Sequence, residues 1–505
     1  MICESQKAVV EFLSSPSTYG GAAVQQIDTH LSHVFLVGAR VYKIKRAVRY
    51  DFVDFSTVAL RKEACAKEVS INRRTAPQMY LGVVPIHGDG DGVSWNNGGE
   101  IVEWAVEMVR FDAGDQLDEL LSSGKLSESM VLTLADKIAA FHINAAPVTE
   151  PPPSGLGAVL DQVAASLHEH EIGAAREKDI SRWAALASAE FERYATLLEL
   201  RRRHGWVRHC HGDLHLANIC LIDGEPTPFD AIEFNDDLAN IDVLYDLAFL
   251  LMDLVNHNRA DYANQLLNRY LIRTRDYAGV GLLRLFQSTR AAVRAMVLSL
   301  PTQPEQQQRM ADRYLDLALE YLIGESEPQL IAVGGYSGAG KSTLAKSVAL
   351  EFDGRCGAAL LNSDVIRKVL AGRAPEQRLD DDAYLSAFTA RVYERMFKYA
   401  RRALRAGQSV ILDATFLDPD YRRRAEETAK KANVPFKGLW LTARRDVLTD
   451  RVSSRLGGAS DATMDVLEKQ LQSKQAPTDW LVVDASDGPR NTLANARVVL
   501  AGNNK

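Results

Sequence analysis

The stretch GYSGAGKS, from Gly335 to Ser342, decides the fold of the C-terminal part of the chain. It follows the apolar run at 329–335 and precedes the helical pattern STLAKSVALEF, which is the strand, glycine-rich turn and helix order of a phosphate-binding loop. The glycines let backbone N–H groups point into one concavity that binds phosphate oxygens. We therefore predict a nucleotide site formed by Gly335, Ser337, Gly338, Ala339, Gly340, Lys341, Ser342 and Thr343.

Two side chains of this loop are expected to act on the nucleotide directly. Lys341 places a positive charge near the β- and γ-phosphates of ATP, and the Ser342 hydroxyl is expected to bind Mg²⁺. The alternative interpretation is a glycine turn that binds nothing. The strand before the loop and the helix after it favour the nucleotide site.

Downstream of the loop, short apolar runs alternate with helical segments such as YERMFKYARRALRAG. This alternation is typical of a parallel sheet that helices cover on both faces. The predicted strands lie at 329–335, 357–364, 409–415, 436–443 and 480–486.

Acceptor chemistry is predicted where the second of these strands ends, because parallel sheets bind ligands at the carboxyl ends of their strands. Asp364 and Arg367 lie one helical turn apart. Asp364 is suited to accept a hydroxyl proton, and Arg367 to bind an anionic substrate group. The alternative is an N-cap followed by a solvent-facing arginine. Asp413, at the end of the next strand, is expected near Mg²⁺ or the substrate, or else to cap the following element.

A lid is the hypothesis for the segment DRVSSRLGGASDAT. Arg451 and Arg455 share one helix face and precede the glycine-rich stretch. A basic helix followed by a flexible segment suits a lid that closes over phosphates. An ordinary solvent-exposed helix face remains the alternative.

These motifs resemble those of the small P-loop kinases, a predicted-kinase family related to polynucleotide 5′-kinase, zeta toxin and gluconate kinase. The resemblance covers residues 328–490 and depends on GGYSGAGKST, on the D-x-x-R of Asp364 and Arg367, on VILDATF, and on R-x-x-x-R leading to SDA. It implies transfer of a γ-phosphoryl group to a hydroxyl, with Asp364 as the base and Arg451 and Arg455 as lid arginines. It does not fix the acceptor.

The whole chain is too long for one hydrophobic core. Its 505 residues are 46% hydrophobic and 25% charged, which excludes a disordered, collagen-like or disulfide-scaffold protein. A short polar segment at 324–329 is the best candidate boundary, so we predict domains at 1–325 and 326–505. The second has 28 Lys and Arg against 22 Asp and Glu. This excess favours phosphate-bearing ligands but does not by itself indicate nucleic acid.

The first domain begins with strand patterns and continues with helices. VFLVGARVYKIKR at 34–46 and EIVEWAVEMVRF at 100–111 predict strands, with a helix from Leu60 between them. We expect a small, mainly antiparallel sheet carrying one helix. From Ser127 to about Ile323 the pattern is helical, except around 207–240, which is dense in His, Asp and Asn.

That exceptional stretch contains a candidate catalytic loop, HGDLHLAN. Asp213 and Asn218 have the D-x-x-x-x-N spacing of a kinase catalytic loop. Asp230, in TPFDAIEF, is placed to supply a carboxylate ligand to Mg²⁺. Asp213 would accept the proton of the attacking hydroxyl, while Asn218 and Asp230 would bind the metal ions.

A lysine that binds phosphate is expected on the early strand, where VYKIK offers Lys43 and Lys45 on one face. The V-x-K pattern favours Lys43. Glu68 on the following helix is its predicted partner, with Glu63 one turn earlier as the competitor. Solvent-exposed lysines and glutamates with no specific role are the alternative.

A zinc site is rejected for His209, Cys210, His211, His215 and Cys220, because their spacing fits no usual zinc pattern. Two aspartates in NIDVLYDLAF lie on a predicted helix. We expect Asp242 and Asp246 to hold the backbone of the catalytic loop rather than to perform chemistry.

HGDLHLAN followed by FDAIEF resembles the aminoglycoside phosphotransferase and choline-kinase-like branch of the protein-kinase fold, over roughly residues 25–300. The resemblance implies a bilobal α+β domain. Two departures stand out. No G-x-G-x-x-G loop precedes Lys43, so THLSHVFLVG would have to cover the phosphates, and the metal aspartate is followed by Ala231 and Ile232 rather than Phe-Gly.

We therefore predict an α/β multidomain protein, a bilobal kinase-like domain fused to a P-loop domain with a parallel sheet. It is expected to be a bifunctional phosphotransferase that uses ATP and Mg²⁺. The expected acceptors are hydroxyls of small molecules, such as a sugar or amino alcohol, or a nucleic-acid end for the second domain. One alternative is a nucleic-acid end kinase or toxin-like kinase with a regulatory pseudokinase, and another is a nucleotide-driven switch.

The cellular location is predicted from what the sequence does not contain. The five cysteines have no paired spacing, and the N-terminus has neither the basic start nor the apolar core of a signal peptide. The longest apolar stretch falls far short of the roughly 20 residues that span a bilayer. A cytoplasmic protein without membrane contact is expected, and the sequence leaves its oligomeric state open.

Overall fold

The computed structural model divides into two compact units. The first comprises Met1–Ala165 and Ser188–Asp253, and the second Ser166–Ala187 and Leu254–Lys505. The predicted boundary residues Glu325 and Ser326 lie outside the described residues, and the division there remains a prediction. The structure describes residues 5–50, 53–89, 92–95, 98–150, 155–300, 305–324, 327–352, 356–454, 463–473, 477 and 479–502.

An antiparallel sheet forms the first part of the first unit. Its described strands are β1 (Val24–Asp28), β2 (Ser32–Val37), β3 (Arg40–Lys45), β6 (Tyr80–Asp89), β7 (Gly92–Ser94) and β8 (Glu100–Val109), besides a small hairpin of β4 (Arg49–Tyr50) and β5 (Val53–Asp54). The strand order is β1-β2-β3-β8-β6-β7. The predicted antiparallel sheet is confirmed, and the run at 34–46 contributes to the two paired strands β2 and β3 that precede helix α2.

One helix precedes this sheet, and the others lie between or after its strands in the chain. They are α1 (Lys7–Ser14), α2 (Val58–Asn72), α3 (Leu117–Ser122), α4 (Glu128–Asn144), α5 (Leu156–Glu169), α6 (Glu171–Arg203), α7 (Asp236–Ala239) and α8 (Val243–Asn256). Helix α2 begins after Thr57, whose side chain accepts from Leu60 N–H. It packs on β6 and β8 and is the helix predicted between the strands.

Short strands interrupt the helices where the sequence becomes polar. They form two antiparallel pairs, β9 (Val207–His209) with β12 (Asn240–Asp242), and β10 (Ile219–Ile222) with β11 (Glu225–Pro228). The candidate catalytic loop lies between β9 and β10, and Asp230 follows β11.

A parallel sheet dominates the second unit. Its described strands are β13 (Leu330–Gly335), β14 (Ala359–Asn362), β15 (Val410–Asp413), β16 (Phe436–Thr442) and β17 (Leu481–Asp484). They are all parallel, in the order β14-β15-β13-β16-β17. All five predicted strands are therefore confirmed, each slightly shorter than its apolar run.

The second unit also contains ten further helices among the described residues. They are α9 (Ala260–Thr274), α10 (Leu283–Leu298), α11 (Glu305–Leu322), α12 (Lys341–Ala349), α13 (Ser363–Leu370), α14 (Ser386–Arg405), α15 (Pro419–Ala432), α16 (Arg445–Ser453), α17 (Met464–Ser473) and α18 (Pro489–Gly502).

The central strand β13 positions the glycine loop. Every residue of β13 is buried, and Ile331 and Val333 pack in one core with Leu344 and Val348 of α12. Because α12 starts at Lys341, this packing fixes the start of the helix directly after the loop.

None of the described helices is both long enough and apolar enough to cross a membrane.

Candidate active sites

The catalytic loop of the first unit brings Asp213 and Asn218 together. The Asn218 side-chain amide donates to the Asp213 carboxylate at 2.9 Å and to its carbonyl oxygen at 3.0 Å. The Asp213 side chain is 40% exposed, so a substrate can reach it. The spacing of five residues places these two side chains as the sequence predicts.

Asp230 has a backbone conformation that is uncommon outside glycine, with φ of 59°. Its N–H donates to the Tyr80 hydroxyl at 3.1 Å, and the next N–H, of Ala231, donates to Asn72 Oδ1 at 2.8 Å. The Asp230 carboxylate accepts from Lys43 Nζ at 2.7 Å. A conformation that neighbouring side chains hold in this way is typical of a functional position.

His211 connects the loop of Asp213 to the loop of Asp230. Its Nε2 donates to the Phe229 carbonyl at 2.9 Å, and its own carbonyl accepts from Ile232 N–H at 2.9 Å. Burial lowers the pKa of His211, which favours the neutral ring with its proton on Nε2. The two loops are thus bound side by side.

Both strand lysines contact the same carboxylate. Lys43 Nζ lies 2.9 Å from Glu68 Oε1, and Lys45 Nζ lies 2.7 Å from Glu68 Oε2. Lys45 also pairs with Glu233 and is only 1% exposed, whereas Lys43 is 13% exposed and reaches Asp230. Lys43 is therefore the lysine that faces the site, as the V-x-K pattern favours, while the competitor Glu63 is exposed at the surface.

The shared charges alter the acidity of these groups. Burial opposes ionisation of Glu68, but Lys43 and Lys45 bring its pKa down to about 2. Burial likewise opposes the charge of Lys43, but Asp230 and Glu68 hold its pKa well above the ordinary value. Burial raises the pKa of Glu233, against the effect of Lys45. The cluster thus keeps Lys43 charged and Glu68 ionised.

Helix α8 stabilises the catalytic loop by accepting hydrogen bonds from its backbone. The Asp246 carboxylate accepts from His211 N–H at 3.0 Å and from Gly212 N–H at 2.8 Å, and Asp253 accepts from Leu216 N–H at 3.0 Å. The predicted supporting role of Asp246 agrees with this geometry.

The expectation for Asp242 was wrong in its location. Asp242 ends strand β12 rather than lying on a helix. Its carboxylate caps α8 by accepting from Leu244 N–H, and it pairs with Arg201.

The histidines and cysteines around this loop have other contacts. Cys210 and Cys220 are buried, and His209 Nδ1 lies 3.0 Å from Asn240 Oδ1. Ligand atoms of Cys210, His142 and Asp246 lie within 4.8 Å of one another. The Asp246 carboxylate in that group accepts the two backbone bonds described above.

In the second unit, the glycine loop has no room for side chains beneath it. Gly335 and Gly338 have φ of 143° and 81°, and a Cβ atom there would lie 2.6 Å and 2.8 Å from backbone carbonyl oxygens of Leu441 and Leu448. The Lys341 ammonium donates to the Tyr336 carbonyl at 2.9 Å. The loop backbone therefore packs closely on β16 and α16, and a residue larger than glycine would not fit at these two positions.

Three polar side chains meet beside the loop. The Asn362 amide donates to Asp413 Oδ2 at 2.5 Å and to Ser342 Oγ at 3.4 Å, and Ser342 also bonds the Asp413 carboxylate. Burial raises the pKa of Asp413, although Ser342 and Lys341 oppose this. Asp413 therefore lies at the site, the first of the two roles that the sequence left open.

Asp364 and Arg367 line a cavity of about 910 Å³ that extends from the glycine loop. Asn362 caps helix α13 by accepting from Val365 N–H, so Asp364 is not the N-cap. Arg367 is 6% exposed and donates to the Ala383 carbonyl at 2.6 Å. The alternative of a solvent-facing arginine was wrong, because the segment before α14 folds over this side chain.

Arg451 lies beside the glycine loop, where its guanidinium donates to the Ala485 carbonyl at 2.8 Å. Nη1 is 3.8 Å from the position that a Cβ of Gly340 would take. Helix α17 also reaches the loop, since Gln470 accepts from Ser337 N–H at 2.9 Å. Arg455 lies outside the described residues, so the lid stays a prediction.

The donor sets fit Mg²⁺ and a nucleotide. Asn218 and Asp230 would hold the ion in the first unit, and Ser342 and Asp413 would hold it in the second. Oxygen ligands of this kind are the ones that Mg²⁺ prefers. The glycine loop adds backbone N–H groups of the kind that donate to phosphate oxygens.

Several residues of the sites were missed by sequence reasoning. Glu233 and Asn72 give no signal, because acids and amides of this kind are common on strands and helices. Gln470 is more than a hundred residues from the loop it contacts. Asn362 does carry a signal, because it ends a strand of the parallel sheet, where ligands bind.

Family models match both parts of the chain. Residues 62–283 match the phosphotransferase enzyme family, and residues 330–477 match an AAA domain family. Proteins of Mycobacterium bovis and Mycobacterium tuberculosis, both described as uncharacterized, are 33% identical over 465 residues, which is 90% of this chain and 90% of theirs.

Solved structures are similar to each part separately. A choline/ethanolamine kinase family protein from Mesorhizobium loti has 14% identity and a TM-score of 0.38, covering 63% of this chain and 98% of its own. A gluconokinase from Sinorhizobium meliloti has 24% identity and a TM-score of 0.25, covering 35% of this chain and 93% of its own.

Proposed function

Because the chain belongs to the same family as these mycobacterial proteins, and its two domains belong to phosphotransferase and kinase families, we propose that it is a bifunctional kinase that uses ATP and Mg²⁺. Each domain would transfer the γ-phosphoryl group to an acceptor hydroxyl. A small molecule, such as a sugar or amino alcohol, is the proposed acceptor of the first domain.

In the first domain, we assign the base to Asp213. Its carboxylate is exposed and is oriented by Asn218, so it can take the proton of an attacking hydroxyl. Lys43, kept charged by Glu68 and Asp230, is the proposed phosphate-binding lysine. Asn218 and Asp230 would hold the metal.

In the second domain, the glycine loop and Lys341 would hold the phosphates, and Ser342 with Asp413 would hold the metal. Asp364 is the proposed base, Arg367 would bind an anionic group of the acceptor, and Arg451 would act as a lid arginine beside the glycine loop. In both domains Mg²⁺ would neutralise phosphate charge. The protein contributes by orienting the reactants and excluding water.

A single observation carries this proposal. The chain has two separate sets of residues, each with a phosphate-binding lysine, a carboxylate base and oxygen ligands for a metal. The contacts of Lys43 with Glu68 and Asp230 keep this lysine charged at the site, which favours an active first domain over an inactive one.

The test is product formation by the full chain with an acceptor panel. Asp213→Ala should lower the activity of the first domain, and Lys341→Ala that of the second, each roughly 100-fold or more. Asp161→Ala and Lys431→Ala, at exposed positions away from both sites, are the matched controls. If neither Asp213→Ala nor Lys341→Ala lowers product formation, the proposal is wrong.

A nucleic-acid end is a second candidate acceptor for the P-loop domain, supported by helix α14. Five basic residues recur along the outer face of this helix, opposite the face that carries Thr389 and Tyr393 to the cavity. They are Arg391, Arg395, Lys398, Arg402 and Arg405. Binding of a 5′-hydroxyl oligonucleotide that weakens steeply with salt would support this candidate, and flat salt dependence would contradict it.

A further inference from the structure

A buried arginine lines the P-loop cavity together with the proposed base Asp364, on the side that we call the acceptor half. Arg367 lines this cavity, and one of its terminal nitrogens, Nη1, donates to Ala383 O at 2.6 Å and Thr389 Oγ1 at 3.1 Å. Its Nε is buried and has no hydrogen-bond partner among the described residues. The guanidinium also lies over the Tyr384 ring, 4.9 Å from its centroid, so the protein holds a fixed positive charge at the wall of this cavity.

Two more cations line the same cavity from other elements. Arg378 comes from the segment between α13 and α14, and Lys469 comes from α17. Neither makes an ion pair with any side chain in the part of the chain that the structure describes. Two carboxylates besides Asp413 also line it, the proposed base Asp364 and the exposed Asp465, so the acceptor half retains an excess of positive charge.

We infer that the acceptor at this site is a hydroxyl compound that already carries a phosphate monoester. A carboxylate has two oxygens and one charge, which a single bidentate arginine satisfies. Cations from three separate elements suit the three oxygens and nearly double charge of a phosphate monoester. The inference rests on the proposed function of the P-loop domain and names the substrate class of that site.

The proposed step is balanced with ATP as the only co-substrate. The acceptor hydroxyl oxygen bonds to the γ-phosphorus while the bond from that phosphorus to the β–γ bridging oxygen breaks. ADP leaves with the electron pair, and Asp364 takes the hydroxyl proton. The products are ADP and a compound with two phosphate groups. Phosphorylation of an alcohol, which we propose for the first domain, is the class of reaction that supplies such an acceptor.

The first experiment measures binding of inorganic phosphate by the full chain. Mg²⁺ and a non-hydrolysable ATP analogue fill the nucleotide sites, so that phosphate cannot occupy the glycine loop. Arg378→Gln should weaken phosphate binding about tenfold, the effect of losing one charged hydrogen bond. Arg373→Gln, an exposed arginine of the same segment that does not line the cavity, should leave it unchanged. Absent binding, or binding that Arg378→Gln does not weaken, overturns the inference.

The second experiment distinguishes phosphate from carboxylate and from neutral acceptors. ADP release by the Asp213→Ala chain is measured with matched sets, for example glycerol, glycerol 3-phosphate and glycerate, or ribose, ribose 5-phosphate and ribonate. The monoester should accelerate ADP release and the other two should not. Preference for the alcohol or the acid, or no acceleration by any monoester, contradicts the inference. Loss of ATP turnover in Lys341→Ala would still support the proposed function.

Discussion

At the scale of single residues, five charged side chains share a small buried space in the first site. They are Lys43, Lys45, Glu68, Asp230 and Glu233. Burying one such charge alone would be prohibitive, and each is tolerated because it has a partner of opposite sign. Glu68, Lys45 and Glu233 are at most 6% exposed, whereas Lys43 is 13% and Asp230 is 42% exposed, so Lys43 and Asp230 lie at the side that a nucleotide would approach.

The low pKa of Glu68 predicts acid sensitivity. Its folded pKa of about 2 lies below the unfolded value of about 4.3, so its contribution to stability is full above pH 4.5 and is lost as the pH falls toward 2. Glu68→Gln should melt at a lower temperature at pH 6 and depend less on pH between 4.5 and 3. Scanning calorimetry checks this.

Glu63→Gln is the control for that measurement, because Glu63 is exposed one turn earlier on the same helix. It should retain the wild-type dependence on pH. Equal pH dependence in Glu68→Gln and the wild type would show that Lys43 and Lys45 do not lower the pKa of Glu68.

A glycine of the phosphate loop gives a second prediction at this scale. Gly338→Ala would place a Cβ 2.8 Å from Leu448 O at a φ of 81°, which combines a backbone clash with about 1–2 kcal/mol of conformational strain. We expect ATP turnover at the P-loop site to fall roughly 10- to 100-fold, because the loop must shift. Gly372→Ala has a similar φ of 71° but open space around it, so turnover should be unchanged. Equal losses in the two variants would show that strain, not the clash, is responsible.

At the scale of elements, the catalytic loop is an irregular segment held by a regular one. Helix α8 presents Asp246 and Asp253 to three backbone N–H groups of the loop. Two aspartates seven residues apart lie on the same helix face, so one helix can bind both ends of the loop. This arrangement fixes the loop backbone on both sides of Asp213, while Asn218 of the loop orients the Asp213 carboxylate.

Asp246→Asn tests this support. An amide has one acceptor oxygen, so one of the N–H groups of His211 and Gly212 would lose its partner, at a cost of about 1–3 kcal/mol. The activity of the first site, measured in a Lys341→Ala background, should fall roughly 10- to 100-fold. Asp161→Asn on the exposed face of α5 serves as the control. Full activity in Asp246→Asn would contradict the supporting role.

At the scale of the whole molecule, helix α9 completes the edge of the parallel sheet within the second unit. The Asn264 amide donates to Cys356 O at 2.7 Å and Ala358 O at 3.0 Å, and Asn268 Oδ1 accepts from Leu360 N–H at 2.6 Å. These side chains satisfy the outer edge of β14, which would otherwise be open. Strand β14 leads directly to Asp364, so α9 helps to position the acceptor half of the site.

Removing this edge contact should destabilise the second unit. Asn264→Ala removes the donor of the Cys356 carbonyl and leaves the Ala358 carbonyl with only the 3.4 Å bond from Asn268, at a cost of about 2 kcal/mol, and should lower the melting temperature by several degrees. Amide exchange of Leu360 should become faster. Asn491→Ala, exposed on α18, should change neither quantity. Unaltered exchange at Leu360 would mean that β14 does not depend on α9.

The sequence alone determined the local features of both sites. GYSGAGKS predicts its loop because strand, glycine turn and helix are adjacent in the chain, and HGDLHLAN predicts the pairing of Asp213 with Asn218 because five residues separate them. The apolar runs likewise predict the strands of both sheets, because the repeat with which side chains alternate along a strand depends only on local backbone geometry.

Only the tertiary structure decided which distant groups meet. Glu68 serves two lysines, Arg367 is buried rather than solvent-facing, and Asp413 lies beside Ser342. These contacts join residues that are 16 to 71 positions apart in the chain. Their partners are set by how elements pack, and burial then fixes the charge of each group, which no local pattern records.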